Sequence, residues 1–190
     1  MDQLKGRSSV LMIVVVVLAA GMFFFRDYIP GSGDGPSSLK KPSAAIEMRV
    51  MGVQLDGTIR AKVEQSGRQA DVGLSKFGSY DNVDLRLADV EAPDTVRDEC
   101  WAEEGKEAIE DLVGSRIWVN PSYIKTERGG RFLVYAWNRD DVFVQEQLLL
   151  DGDATLFAGN VSSYAEDVLT AAEDEASAAD RGLWKACGDA

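Results

Sequence analysis

The sequence predicts an α+β domain, a five-stranded β-barrel carrying three helices, preceded by one transmembrane helix. Three observations predict it. Residues 10–25 form an unbroken apolar run. Downstream, short segments alternate apolar and polar residues between turn-forming Gly and Asp, the pattern of half-buried strands. One helical apolar period precedes the fourth strand, and two follow the fifth.

The apolar run comes first. Lys5 and Arg7 precede Val10 to Phe25. Sixteen residues at ~1.5 Å each give ~24 Å, and Ser8, Ser9, Tyr28 and Ile29 extend it toward the ~30 Å of a hydrocarbon core. The basic N-terminus predicts a cytoplasmic segment 1–8, an anchor at residues 9–26 and an external C-terminal domain. The alternative is a cleaved signal peptide ending at Ala19-Ala20-Gly21, which gives a secreted protein. Cleavage there leaves Met22-Phe23-Phe24-Phe25 as a greasy new terminus, which favours the anchor. Residues 27–46 are rich in Gly, Ser and Pro and read as a flexible linker.

The folded domain is expected over residues 47–187. Met48 to Leu55 and Thr58 to Gln65 read as strands joined by a two-residue Asp56-Gly57 hairpin turn. A short strand is possible near Val72 to Phe77, and Val83 to Ala88 is another. Glu99 to Val113 reads as a helix with Trp101, Ile109 and Val113 on its apolar face and Gly114 as its stop. Arg116 to Asn120 and Arg131 to Trp137 are strands around a Gly129-Gly130 turn. Phe143 to Leu150 is a short helix ended by Gly152. Ser163 to Glu166 has the form of a capping box opening an Ala-rich helix to about Asp180, and Gly182 breaks it before Leu183 and Trp184. Five strands, one helix before the fourth and two after the fifth, is the order of an OB-fold barrel with added helices.

Composition restricts the chemistry. There is no histidine, which excludes Ser-His-Asp and Cys-His nucleophile systems and histidine general bases. Two cysteines without histidine do not make a usual structural zinc site. Reactivity must rest on carboxylates, guanidiniums, amines, hydroxyls or a hard cation. Net charge is −12; Asp2, Lys5, Arg7 and Arg26 sum to +2, so residues 27–190 carry −14. Such a domain repels polyanions except where salt screens it or arginines cluster locally. The acidity reads either as a solvated surface or as adaptation to high salt.

In chain order the domain carries R-L-A-D-V-E-A-P-D at 86–94, G-K-E-A at 105–108, G-G-R at 129–131, V-Q-E-Q-L-L-L-D-G at 144–152 and R-G-L-W at 181–184. Taken together these resemble the staphylococcal nuclease (thermonuclease) family, over about residues 47–187. The resemblance implies a phosphodiesterase cleaving DNA or RNA. Such a reaction builds negative charge on phosphorus, which guanidinium forks and a hard cation can stabilise. It places Arg86 and Arg131 on the phosphoryl oxygens and Asp94 at the general-base position. It places a calcium ion on Asp56, Glu91 and the carbonyl of Ala92.

The chain departs from the family pattern at several of these positions. The D-G-D-T run is Leu55-Asp56-Gly57-Thr58 here, Glu91 stands for an aspartate, and Asp94 for a glutamate. The substrate-stacking tyrosines fall at Ala158 to Asn160, with Phe157 as a partial replacement, and Gly129 stands for the tyrosine of Y-G-R. Lys125 and Arg128 add a basic rim. An external domain predicts a disulfide between Cys100 and Cys187. Two functions follow: a membrane-anchored, extracytoplasmic, calcium-dependent nuclease, or a degenerate module that binds nucleic acid or a protein partner without cleaving it.

Overall fold

The structure, a computed structural model, describes residues 38–63, 77, 82–127, 129–159 and 161–188. The predicted anchor, most of the linker and most of the 72–77 segment lie outside these residues. Among the described residues no helix is long and apolar enough to cross a membrane.

Seven strands and four helices are described: β1 (Ile46–Val53), β2 (Ile59–Val63), β3 (Asn82–Leu87), β4 (Val90–Glu91), α1 (Ala102–Val113), β5 (Arg116–Thr126), β6 (Phe132–Trp137), α2 (Val144–Asp151), β7 (Thr155–Leu156), α3 (Glu166–Ala178) and the single-turn α4 (Leu183–Ala186). Five strands close a barrel in the order β1-β2-β3-β6-β5, and β4 with β7 forms a separate pair. All barrel pairings are antiparallel except β3 with β6. Alternation dictates the inside: Met48, Ile59, Ala61, Leu85, Ile117, Val119 and Val134 are fully buried. The residues between them, among them Arg86, face out. The predicted α+β OB-type barrel is therefore observed, with its helices outside it.

Several local expectations are corrected. The β1–β2 connection is not a two-residue turn: Gln54 N–H bonds the Thr58 carbonyl and Gly57 N–H the Gln54 carbonyl, leaving three residues in the loop with Gly57 left-handed at φ 73°. A side chain at Gly57 would also press on Ile109 at 3.3 Å. α1 starts at Ala102, not Glu99, because Asp98 and Trp101 take left-handed conformations. Trp101 caps the helix end, and its indole N–H donates to Asp153 at 2.9 Å. β5 runs on past Pro121 to Thr126, with its pairing to β6 shifted between Val119 and Ile124. That irregularity accommodates a proline that cannot donate to the ladder.

The capping box does not form. Ala165 is the N-cap with no side-chain hydrogen bond, and the Ser162 carbonyl takes the N–H groups of Ala165 and Glu166. At the other end α3 stops at Ala178. Asp180 turns left-handed, with Asp180 N–H bonding the Ser177 carbonyl and Arg181 N–H the Ala176 carbonyl, a Schellman closure. Gly182 therefore has another task. Its backbone crosses Gly152 so closely that a Cβ on Gly182 would lie 2.3 Å from the Gly152 carbonyl oxygen. Leu183 N–H donates to that oxygen at 2.9 Å. The expected disulfide is present: Cys100 and Cys187 are bonded, their Cα atoms 5.9 Å apart, tying the start of α1 to the chain beyond α4.

Candidate active site

Two hairpin turns of one design bring the first charges together. The β5–β6 turn repeats the β1–β2 pattern, with Glu127 N–H bonding the Arg131 carbonyl and Gly130 N–H the Glu127 carbonyl. Gly129 and Gly130 both have positive φ. The first turn presents Asp56 and the second presents Arg131, whose Nη1 donates to Asp56 Oδ2 at 3.1 Å. Asp56 is further fixed by accepting Thr58 N–H at 3.1 Å. Partial burial pushes the Asp56 carboxyl upward, but hydrogen bonding from Thr58 and the charge of Arg131 outweigh it, and its pKa falls below the usual value.

Arg86 joins this group through strand register. It is paired with Leu133 across the parallel β3–β6 ladder, two residues beyond Arg131. Glu127 stands between the arginines: its Oε1 lies 3.9 Å from Arg86 Nη1 and its Oε2 3.5 Å from Arg131 Nε. One carboxylate thus spans both guanidiniums. Glu127 was not among the residues singled out from the sequence. Its place four residues before Arg131, across a Gly-Gly turn, was the available signal for one contact; Arg86 lies 41 positions away.

A second group lies on the segment after β4. Asp94 caps the 3-10 turn Thr95–Arg97, accepting Val96 N–H at 2.7 Å, while its other oxygen takes Arg97 Nε at 3.1 Å. Arg97 also reaches Glu99 Oε1 at 3.2 Å and Glu91 Oε1 at 3.8 Å. Glu99 in turn accepts Asp94 N–H at 2.8 Å. The two groups are joined because Thr95 Oγ1 donates to the Leu55 carbonyl at 2.7 Å, seating this segment against the Asp56 turn. Arg97 too was missed, although its position three residues after Asp94 was legible as a helical-turn ion pair.

The predicted site residues therefore fall into two adjoining clusters: Asp56, Arg131 and Arg86 around Glu127, and Glu91 with Asp94 around Arg97. Their fit to calcium can be tested from the donors. Asp56 is engaged by Arg131 and Glu91 by Arg97. Among the described residues no three acidic side chains converge as a group that could hold a metal. Calcium needs six to eight oxygens at ~2.3–2.6 Å. As placed, Asp56, Glu91 and Ala92 do not make that cage.

A separate aromatic cluster is built around the fully buried Tyr135. Tyr123, Tyr135 and Tyr164 cluster with ring centroids 4.2, 4.9 and 6.1 Å apart. Asp89 accepts from the Tyr135 hydroxyl and from Ser162 N–H. Burial and the hydrogen bond to Asp89 push the Tyr135 phenol strongly upward. Lys125, read as part of a basic rim, is exposed, donates to the Tyr123 hydroxyl at 3.0 Å and sits over that ring. Arg128 and Asn160 lie outside the described residues. Phe157 is exposed, as are Ala158 and Gly159 beside it.

A closed five-stranded barrel of this order, with helices packed beside it, defines the class of OB-fold domains. The family model described as Staphylococcal nuclease homologue matches residues 84–186, more than half of the chain, and the chain belongs to that family. It is therefore a nuclease-like domain of the kind that binds or hydrolyses nucleic acid. No curated protein matches it.

Proposed function

We propose that the chain is a phosphodiesterase that cleaves DNA or RNA outside the cytoplasmic membrane, anchored by residues 9–26. One observation carries the enzymatic part: Arg86 and Arg131 are both within 4 Å of the same carboxylate. A phosphodiester presents two non-bridging oxygens at a similar span, so the same two guanidiniums suit it. In this reading the phosphate takes the place of Glu127. Arg86 and Arg131 neutralise charge as the attacking water oxygen bonds phosphorus and the leaving oxygen departs. Asp94 takes the water proton. No step is assigned to calcium.

The test is digestion of single-stranded DNA by the full chain in mild non-ionic detergent, at low and high salt. Arg86→Ala and Arg131→Ala should each lower kcat/KM by roughly 100- to 1,000-fold, as for loss of a transition-state donor. Activity that survives both substitutions would reject the assignment. The second reading, binding without cleavage, draws on the engagement of both Asp94 oxygens and on Ala158 and Gly159 where the family carries tyrosines. It predicts binding that both substitutions abolish, with no product from the wild-type chain.

The anchor rests on the apolar composition of residues 9–26, and the Cys100–Cys187 bond supports an oxidising location. Protease added to intact cells should release the domain; failure to do so would overturn the topology.

A further inference from the structure

We propose that the guanidinium of Arg97 is the built-in cation of the Glu91, Asp94 and Glu99 carboxylates, so that this site works without a divalent ion. Each of its nitrogens addresses a different carboxylate: Nε goes to Asp94 at 3.1 Å, Nη1 to Glu99 at 3.2 Å and Nη2 to Glu91 at 3.8 Å. The backbone is shaped for this. The 3-10 turn capped by Asp94 lifts Arg97 into the group, and left-handed Asp98, at φ 55°, brings Glu99 back toward it. Glu99 then closes the ring by accepting Asp94 N–H.

A planar guanidinium keeps its partners farther apart than a calcium ion would, because its nitrogens are spread around a carbon and each carboxylate meets a separate one. This accounts for the absence, among the described residues, of three acidic side chains converging on a point. It also sets a repulsive charge beside any entering cation. Surface ion pairs are individually weak, and Arg97 is itself more than half exposed. What distinguishes this one is its threefold engagement on the segment that carries Glu91 and Asp94. Arg97 also adds a guanidinium to the segment that Thr95 seats against the Asp56 turn, in a chain otherwise strongly acidic.

The inference concerns the same site as the phosphodiesterase reading, but its test does not depend on turnover. Calcium is titrated by calorimetry into the full chain in non-ionic detergent, at an ionic strength that suppresses diffuse binding. Wild type should show no saturable site. Arg97→Ala should gain one, with Kd about 10⁻⁴–10⁻³ M as in weak oxygen-ligand modules. Arg97→Lys, which keeps the charge, should remain silent. Unfolding midpoints confirm that each variant is folded, and Arg97→Gln replaces Arg97→Ala if the latter is not. Saturable wild-type binding, no gain on removing the guanidinium, or an equal gain in Arg97→Lys would each overturn the proposal. Phosphodiesterase activity, where present, should be insensitive to chelator; a silent enzyme with the expected calorimetry would sink the functional reading and leave this one standing.

Discussion

Replacing Glu127 by Gln should strengthen nucleic-acid binding. Glu127 lies 3.9 Å from Arg86 and 3.5 Å from Arg131, so it competes for the two charges a phosphate needs. A charge pair at ~4 Å is worth ~4 kcal/mol at an effective dielectric constant of 20. All three side chains are between a quarter and a third exposed, so each contact is discounted toward the ~0.2–1 kcal/mol of solvated pairs. Two such contacts give about 0.4–2 kcal/mol, or roughly a 2- to 30-fold gain in affinity once the anion is gone. The assay is fluorescence anisotropy with a cleavage-resistant phosphorothioate single strand, at low salt. Glu104→Gln, on the exposed face of α1, changes net charge equally and controls for long-range repulsion. The gain at Glu127 should exceed that control and shrink as salt rises. Weaker binding by Glu127→Gln would mean that the carboxylate positions the arginines, and the competition argument would be refuted.

Other consequences are stated more briefly. Replacing both cysteines by Ser opens a loop with a sequence separation of 87; the chain-entropy relation puts the loss at about 4–5 kcal/mol, readable as a lower unfolding midpoint that reductant reproduces in wild type. An unchanged midpoint would show that the bond constrains nothing. Asp56, whose folded pKa is depressed, contributes stability present above its unfolded value and lost as pH falls through the folded one. Asp56→Asn should therefore flatten the acid limb of the stability profile below about pH 4 and leave its slope near neutrality unchanged. Gly152→Ala places a Cβ 2.4 Å from the Arg181 carbonyl oxygen at a residue with φ 74°. It should cost about 2–4 kcal/mol in denaturant unfolding, whereas Gly129→Ala, also at positive φ but with open space around it, should cost less.

The barrel was legible because its physics is local. Alternation in Ile59–Ala61, Val83–Leu87 and Ile117–Val119 names the inward residues directly, and those residues are buried, as is Met48, while Val50 at the β1 end is half-buried. Helix ends were less legible, because long-range contacts place them. Trp101 looked like a helix-face residue, yet its indole finds Asp153, 52 positions away, and it ends up as the cap. Gly182 looked like a helix stop, and its place is set by the crossing with Gly152. Among the candidate site residues, Arg86, Arg131, Asp56, Glu91 and Asp94 were singled out by their motif. Of their counter-ions, Arg97 was legible three residues past Asp94, but the Glu127–Arg86 contact was not. Glu127 meets Arg86 only because β3 and β6 run side by side, and pairing across a parallel ladder leaves no short-range signature.

The link between residues 100 and 187 also has a consequence for how the molecule is made. The barrel strands are all present once Trp137 has been synthesised, but Cys187 follows only 50 residues later. Because domains are made N-terminus first, Cys100 spends that interval as a free thiol beside an unfinished surface. Until the Gly152–Gly182 crossing forms, nothing holds Cys187 near its partner. With only two cysteines in the chain, intramolecular mispairing is impossible. The hazard in biogenesis is thus intermolecular: capture of Cys100 by another chain or a small thiol before Cys187 emerges.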